Sequence, residues 1–227
     1  MIVALIPGYN EAPRIGAVVL ATREHLPVLV VDDGSSDGTA ERAREAGAVV
    51  VRQEPNQGKG AALRAGFRRA LADGADAILT LDADGQHDPA EIPSFLAVWA
   101  AAAPGAKPDL VIGARNFRSM PPLRRLSNVL GRRAFSWAVG RQIPDNQSGF
   151  RLVSRRLAAA TAESEETGFA FEVEQITTCL RMGGRIEWIP IRTIYAGAPS
   201  HIRPIEHLRE FVGIVRRARR DVGRPLG

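Results

Sequence analysis

The chain of 227 residues carries a formal net charge of +5, a sequence pI near 10.3 and 45% hydrophobic residues. That length and apolar content suit one large α/β domain, and the apolar runs are too short and interrupted to reach the roughly 20 residues of a membrane span. A lone cysteine, Cys179, excludes an internal disulfide and argues against a thiol-ligated metal; set among Val173, Ile176 and Leu180 at helical spacing, it reads as core packing.

Taken in chain order, residues 1–7 lack a basic region and a small-residue cleavage site, so they read as a first strand rather than a signal peptide, and the protein is expected in the cytosol. Short β-rich runs follow at 2–6, 28–31, 48–51, 77–81 and 110–112, separated by stretches of helical length. Such alternation predicts a mostly parallel sheet covered by helices on both faces, with ligands bound beyond the carboxyl ends of its strands. Three of those ends are polar and glycine-bearing: Pro7-Gly8-Tyr9-Asn10-Glu11, Asp32-Asp33-Gly34-Ser35-Ser36-Asp37-Gly38 and Asp82-Ala83-Asp84-Gly85-Gln86-His87. Between the last two, Asn56-Gln57-Gly58-Lys59-Gly60 precedes a helix over 61–71 and supplies backbone amides and a lysine where anions are favoured.

Asp82, Asp84 and Gln86 place three oxygen-bearing side chains directly after an apolar run. Unpaired carboxylates are poor core residues, and hard oxygen ligands suit Mg²⁺ or Mn²⁺, so the cluster reads as a divalent-metal clamp facing a phosphate-bearing substrate. The competing reading is an acidic turn leading into the helix that begins near Asp88-Pro89.

From 110 to 144 the character changes: seven arginines (Arg115, Arg118, Arg124, Arg125, Arg132, Arg133, Arg141) occur with no acidic residue. Leu123, Leu126, Leu130, Ala134 and Trp137 recur among them at helical spacing, an apolar stripe beside basic side chains. This pattern fits either a helix lying on an anionic membrane surface or an ordinary helix packed on the sheet with a solvated basic face. Residues 205–222 repeat the theme, with Leu208, Phe211, Val212 and Val215 apolar and Arg209, Arg216, Arg217, Arg219 and Arg220 basic. No nucleic-acid module or stacking aromatic set is present in the sequence, which favours a membrane over nucleic acid.

Together with Asp145-Asn146-Gln147-Ser148-Gly149-Phe150-Arg151, these motifs resemble the family 2 glycosyltransferases, in order from about residue 2 to residue 205. The likeness is greatest to the dolichol- and polyprenol-phosphate sugar transferases. The resemblance implies a GT-A fold, a Rossmann-like α/β sheet with C-terminal amphipathic helices, in which 1–113 form the nucleotide-sugar half and 114–227 the acceptor half of one domain over 1–227. It also implies an inverting hexosyltransferase that uses a divalent metal, Mg²⁺ or Mn²⁺, and a nucleotide sugar such as GDP-mannose or UDP-glucose.

Carried over residue by residue, Pro7, Tyr9, Glu11, Asp32, Asp33 and Lys59 belong to the donor pocket, joined by Asp82, Ala83 and Asp84 and by His201 and Arg203 of a closing loop. Asp82, Asp84 and Gln86 match the metal motif, with His87 behind them orienting the loop. Asp84, Asp145 and Arg125 are the catalytic candidates. Arg115, Arg124, Arg125 and Ser127 match positions that grip an acceptor phosphate, with Arg132 an alternative in that helix.

A sugar hydroxyl acceptor needs a carboxylate base, for which Asp145, Glu172 and Glu174 are available, whereas a phosphomonoester is already ionised near neutrality, its second pKa being about 6. The abundant arginine favours a polyprenyl phosphate at the cytosolic membrane face, reached by surface adsorption or through a separate membrane subunit. The alternatives are a soluble family 2 transferase with a hydroxyl acceptor and, in a different class, a receiver-like signalling module suggested by the Asp32-Asp33 pair. The second fails on length and order, receiver domains being about half this size.

Overall fold

β1 (Ile2–Gly8), β2 (Val28–Asp33) and β4 (Ala77–Thr80) are apolar runs, almost every residue of which is buried, as a sheet covered on both faces demands. With β3 (Val49–Gln53) they pair in parallel in the order β3-β2-β1-β4. Helices α1 (Ala12–Arg23), α2 (Thr39–Glu45) and α3 (Lys59–Ala72) make the crossovers. The sequence runs end two residues short at β1, β2 and β3, because the strands continue into polar ends that carry no apolar signal. In this computed structural model the described residues are 1–103, 105–117, 122–164, 170–192, 194, 213 and 215–222.

Beyond β4, a short 3-10 turn (Pro89–Glu91), capped by Asp88 accepting from the Ala90 amide, leads into α4 (Ile92–Ala101) and then β5 (Leu110–Arg115). β5 does not pair with β4. Two strands that the sequence reading missed complete one seven-stranded sheet in the order β3-β2-β1-β4-β6-β5-β7. β6 (Arg151–Ser154) inserts antiparallel between β4 and β5, and β7 (Ile186–Ile191) pairs parallel with β5 at the edge. Because β6 runs against β4, the segment entering it, 145–150, meets the segment leaving β4, 81–87. The segment 145–150 and the acidic motif therefore share one end of the sheet.

The remaining helices are α5 (Pro122–Val139), α6 (Arg155–Ala162), α7 (Ala170–Arg181) and α8 over 215–222. α5 packs by Phe135, Ala138 and Val139, all buried in the core, while Leu130 and Trp137 of the predicted stripe are 56% and 63% exposed. Leu130 and Trp137 thus turn outward, while the neighbouring face that carries Phe135, Ala138 and Val139 meets the core. α8 rests on α5: Ala218 is buried and the Arg219 guanidinium stacks 4.2 Å from the Trp137 ring.

Cys179 lies fully buried on α7, and its thiol is pushed up to about 12 by that burial and by the nearby Asp109 carboxylate. A native sample is expected to show no reaction with a thiol reagent at pH 8 over an hour and one equivalent after denaturation. Rapid native labelling would contradict this packing.

Candidate active site

The ends of β1, β2 and β4, the start of α3 and the loop before β6 converge on one cleft. On the β1–β2 side the loops are stitched together by polar side chains. The Asn10 amide donates to Ser35 Oγ at 2.9 Å, the Ser36 amide to Asn10 Oδ1 at 3.0 Å and the Glu11 amide to Thr39 Oγ1 at 2.8 Å. Asn10 holds φ at +54°, in the left-handed region that Asn tolerates better than most residues. Tyr9 is 51% exposed at the rim and Glu11 pairs with Arg14 at 2.9 Å, while Pro7 is buried beneath them.

Asp33 is buried and committed to backbone: its carboxylate accepts from the Gln57 amide at 2.9 Å and the Gly58 amide at 2.7 Å. It ties the β2 end to the glycine-bearing loop ahead of α3. Gly34 between them needs its glycine, since φ is +77° and a Cβ would sit 2.9 Å from the Asn56 nitrogen. Asp32, fully buried, accepts from the Ser35 amide at 3.3 Å and has Arg52 Nε 3.6 Å from Oδ2.

At the β4 end, Lys59 Nζ stands 2.7 Å from Asp82 Oδ1 and 2.8 Å from Glu172 Oε1. Sequence reading placed Lys59 toward the nucleotide; the structure puts its ammonium beside the acidic motif, since α3 packs on β1 and β2 and its first residue reaches Asp82 just past the end of β4. Burial works against ionisation of Asp82, yet the Lys59 ammonium overcomes it and holds the carboxyl down to about 2. The same two carboxylates push the Lys59 pKa up against the opposing effect of burial.

His87 is buried with its ring 5.2 Å from that of Phe150, and its Nδ1 accepts from the Asp82 amide at 3.1 Å. Burial lowers its pKa first, so the ring is neutral near pH 7 and the 3.8 Å approach to Asp82 Oδ2 is not an ion pair. His87 therefore orients the Asp82 backbone from behind. Asp84 accepts from the Gln86 amide at 2.9 Å and from Gln86 Nε2 at 2.7 Å, folding the turn on itself.

The side of the cleft read from sequence as the acceptor side holds a buried fork. Arg115, at the end of β5, donates to Asp145 through Nε at 2.7 Å and Nη2 at 3.0 Å, and the Arg115 and Gln147 amides add bonds of 3.3 and 3.0 Å. Asp145 is completely buried. Arg115, read from sequence as a phosphate-gripping residue, is thus the partner of the residue read as catalytic. Arg132 sits 5.6 Å from the Phe117 ring that Arg115 also approaches, at 5.9 Å, whereas Arg125 is exposed on α5. The side chains of Arg124 and Ser127, and His201 and Arg203 altogether, lie outside the described residues.

Arg151 had no role in the sequence reading. It is 1% exposed and spends its guanidinium on the carbonyls of Ser148 at 2.6 Å, Glu172 at 2.5 Å and Asn146 at 3.3 Å and on Gln175 Oε1 at 3.2 Å. Burial lowers its pKa to about 10, and nearby Glu172 and Asp145 oppose that fall. Arg151 thereby clamps the loop 145–149 onto α7. An arginine opening an apolar strand is the signal that marks it.

Gly149 leaves room for the acidic pair: a Cβ there would fall 2.8 and 2.9 Å from the Asp82 oxygens and 3.1 Å from Lys59 Nζ. Gly149→Ala is expected to lower kcat/KM about 10²-fold, the scale of a displacement near 1 Å at a reacting centre, with little change in far-ultraviolet circular dichroism. Unaltered turnover would show that Asp82 tolerates displacement.

The residues at this site fit a divalent ion. Asp82, Asp84 and Gln86 supply an all-oxygen donor set, and the missing side chain at Gly149 leaves one approach to the Asp82 oxygens uncovered, while Lys59 Nζ holds Oδ1. Among the described residues no three His, Cys, Asp or Glu side chains gather as a metal cage, so this set depends on Gln86 for its third oxygen. An end-for-end turn of the Gln86 amide offers Oε1 where Nε2 now meets Asp84.

A model of "Glycosyl transferase family 2" matches residues 3–160. The chain belongs to that family. Among relatives of this glycosyltransferase, undecaprenyl-phosphate mannosyltransferase of Micrococcus luteus is 33% identical over 208 residues, spanning 84% of this chain and 82% of the relative. Polyprenol monophosphomannose synthase of Mycolicibacterium smegmatis is 29% identical over 203 residues, 82% of this chain and 75% of the relative. In fold, the transferase superposes on glucosyl-3-phosphoglycerate synthase from Mycobacterium tuberculosis, solved with Mg²⁺ and uridine diphosphate. The TM-score is 0.73 at 20% identity, covering 100% of this chain and 81% of the other. The architecture is GT-A.

Proposed function

We propose that this enzyme moves a hexose from a nucleotide sugar, GDP-mannose or UDP-glucose, to a polyprenyl phosphate, with inversion and with Mg²⁺ or Mn²⁺ held by Asp82, Asp84 and Gln86. The observation that carries the phosphate acceptor is the state of the three carboxylates a hydroxyl acceptor would need as base. Asp145 is forked by Arg115, Glu172 is paired with Lys59, and Glu174 accepts from the Ser164 hydroxyl. An acceptor that arrives ionised needs none of them. The lipid-phosphate substrates in the names of the two relatives support the same choice.

In this reading Pro7, Tyr9, Glu11, Asp32 and Asp33 form the nucleotide pocket, with Ala83 at its floor and His201 and Arg203 closing over it. A cation held by Asp82, Asp84 and Gln86 would supply positive charge against the departing nucleoside diphosphate. Asp145 fixes Arg115, whose positive charge reaches Asp82 across the cleft, and Arg115 with Arg124, Arg125 and Ser127 holds the acceptor phosphate in line for attack on the anomeric carbon. The outward face of α5, with Leu130, Trp137 and the exposed Arg125 and Arg133, rests on an anionic membrane at its cytosolic side, directly or beside a membrane subunit. No helix among the described residues is long and apolar enough to cross a membrane.

The test is incubation of purified protein with Mn²⁺ or Mg²⁺, each nucleotide sugar and a short polyprenyl phosphate, followed by extraction. Sugar in the organic phase, lost with EDTA, is the expected result. Binding of nucleotide sugar without lipid labelling would move the acceptor to a soluble hydroxyl compound.

A further inference from the structure

Lys59, Asp82 and Glu172 come from the start of α3, the end of β4 and the start of α7, yet they meet through one ammonium with contacts of 2.7 and 2.8 Å. Glu172 is only 4% exposed, and its Oε2 has no hydrogen-bond partner among the described residues. A buried carboxylate left half-satisfied is costly, and an apolar side chain at that position would pack without the penalty. The ammonium stands on the carboxylate that opens the acidic motif. A small cavity lined by Leu63, Phe67, Gly149, Phe171, Glu172 and Gln175 adjoins it, and Gly149 presents no side chain to the Asp82 oxygens.

We propose that Lys59 is a resident counter-cation of this site: its ammonium occupies Asp82 until a divalent ion arrives, and Glu172 is the second seat that keeps it once Asp82 is taken. The inference rests on the metal reading of Asp82, Asp84 and Gln86. Two cations on one carboxylate repel, so the site binds metal weakly by itself and tightly when a nucleoside diphosphate brings compensating negative charge. Metal and donor then load together, and the motif holds no strongly bound metal between turnovers.

The experiment measures Mn²⁺ binding directly, by the loss of the free-ion electron paramagnetic resonance signal, with and without GDP or UDP, so no turnover is required. Lys59→Met/Glu172→Leu removes the competing cation and its second seat with no change in net charge, leaves no charge stranded at position 172, and leaves the Asp82 carboxylate to the metal alone. It is expected to bind Mn²⁺ alone about tenfold tighter, with the gain from nucleotide correspondingly reduced. Glu172→Gln, near-isosteric, strands Lys59 on Asp82 and is expected to weaken Mn²⁺ binding by a similar factor. Opposite signs in the two variants, each with a native circular dichroism spectrum, are the expected signature. Unchanged or weaker binding in the double variant would make Lys59 a mere anchor of Asp82 and overturn the proposal. Wild-type binding unaffected by Asp82→Asn would instead remove the metal reading itself, and the counter-cation with it.

Discussion

Asp84→Ala is expected to abolish transfer, lowering kcat/KM by at least about 10³-fold, close to 4 kcal/mol of transition-state stabilisation, while the melting temperature falls by no more than about 4 °C. Among the described residues both oxygens of Asp84 bond within their own turn, to the Gln86 amide and Nε2, and those bonds are part-buried. The fold therefore loses two modest hydrogen bonds, each contributing about 1 kcal/mol at most. In the proposed function, the site loses one of the two carboxylates that would hold the metal. Asp84→Asn keeps the geometry of the turn and discards the charge, so equal damage from both substitutions would assign the effect to charge. Retained turnover in the Ala variant would sink the metal assignment.

Arg115→Met is expected to destabilise the protein by about 3 kcal/mol, read as a lower urea midpoint with unchanged slope. The loss arises because Asp145 stays behind, fully buried, with its two guanidinium bonds of 2.7 and 3.0 Å gone and only the two amide bonds remaining. Removing one partner of a buried pair strands a charge, whereas removing both spares it. Accordingly, Arg115→Met/Asp145→Leu should recover part of the lost stability while staying inactive. A surface role for Arg115, with lipid phosphate as its only partner, would leave the midpoint of the single variant untouched.

The parallel half of the sheet was legible because β1, β2 and β4 are apolar runs ending in polar turns, the form that burial on both faces imposes. β6 was not, since it is four residues long and opens on Arg151, whose charge is satisfied by carbonyls from two other segments. β7 hides for a different reason: as an edge strand it can carry Glu187 and Pro190, which break the apolar pattern. At the site, the acidic motif could be read directly, because carboxylates beside an apolar run stand out. The pairings that decide what each group does, Arg115 with Asp145 and Lys59 with Glu172, join side chains far apart in sequence. The outward turn of Leu130 and Trp137 was equally invisible, since periodicity shows that a helix has an apolar face but not which of two faces meets the core.

β4 and β5 touch only through β6. A fragment ending near residue 113 would thus present β4 with an open edge and β5 with no neighbour at all, a template for association with other chains. During synthesis the same exposure lasts until the ribosome has released β6, and the Lys59 ammonium must wait longer still for α7. Residues 1–113 are consequently a poor unit for grafting or for expression by themselves. Recombination among relatives should exchange α5 with the residues on either side of it, within 116–150, leaving the antiparallel strand β6 with its own neighbours.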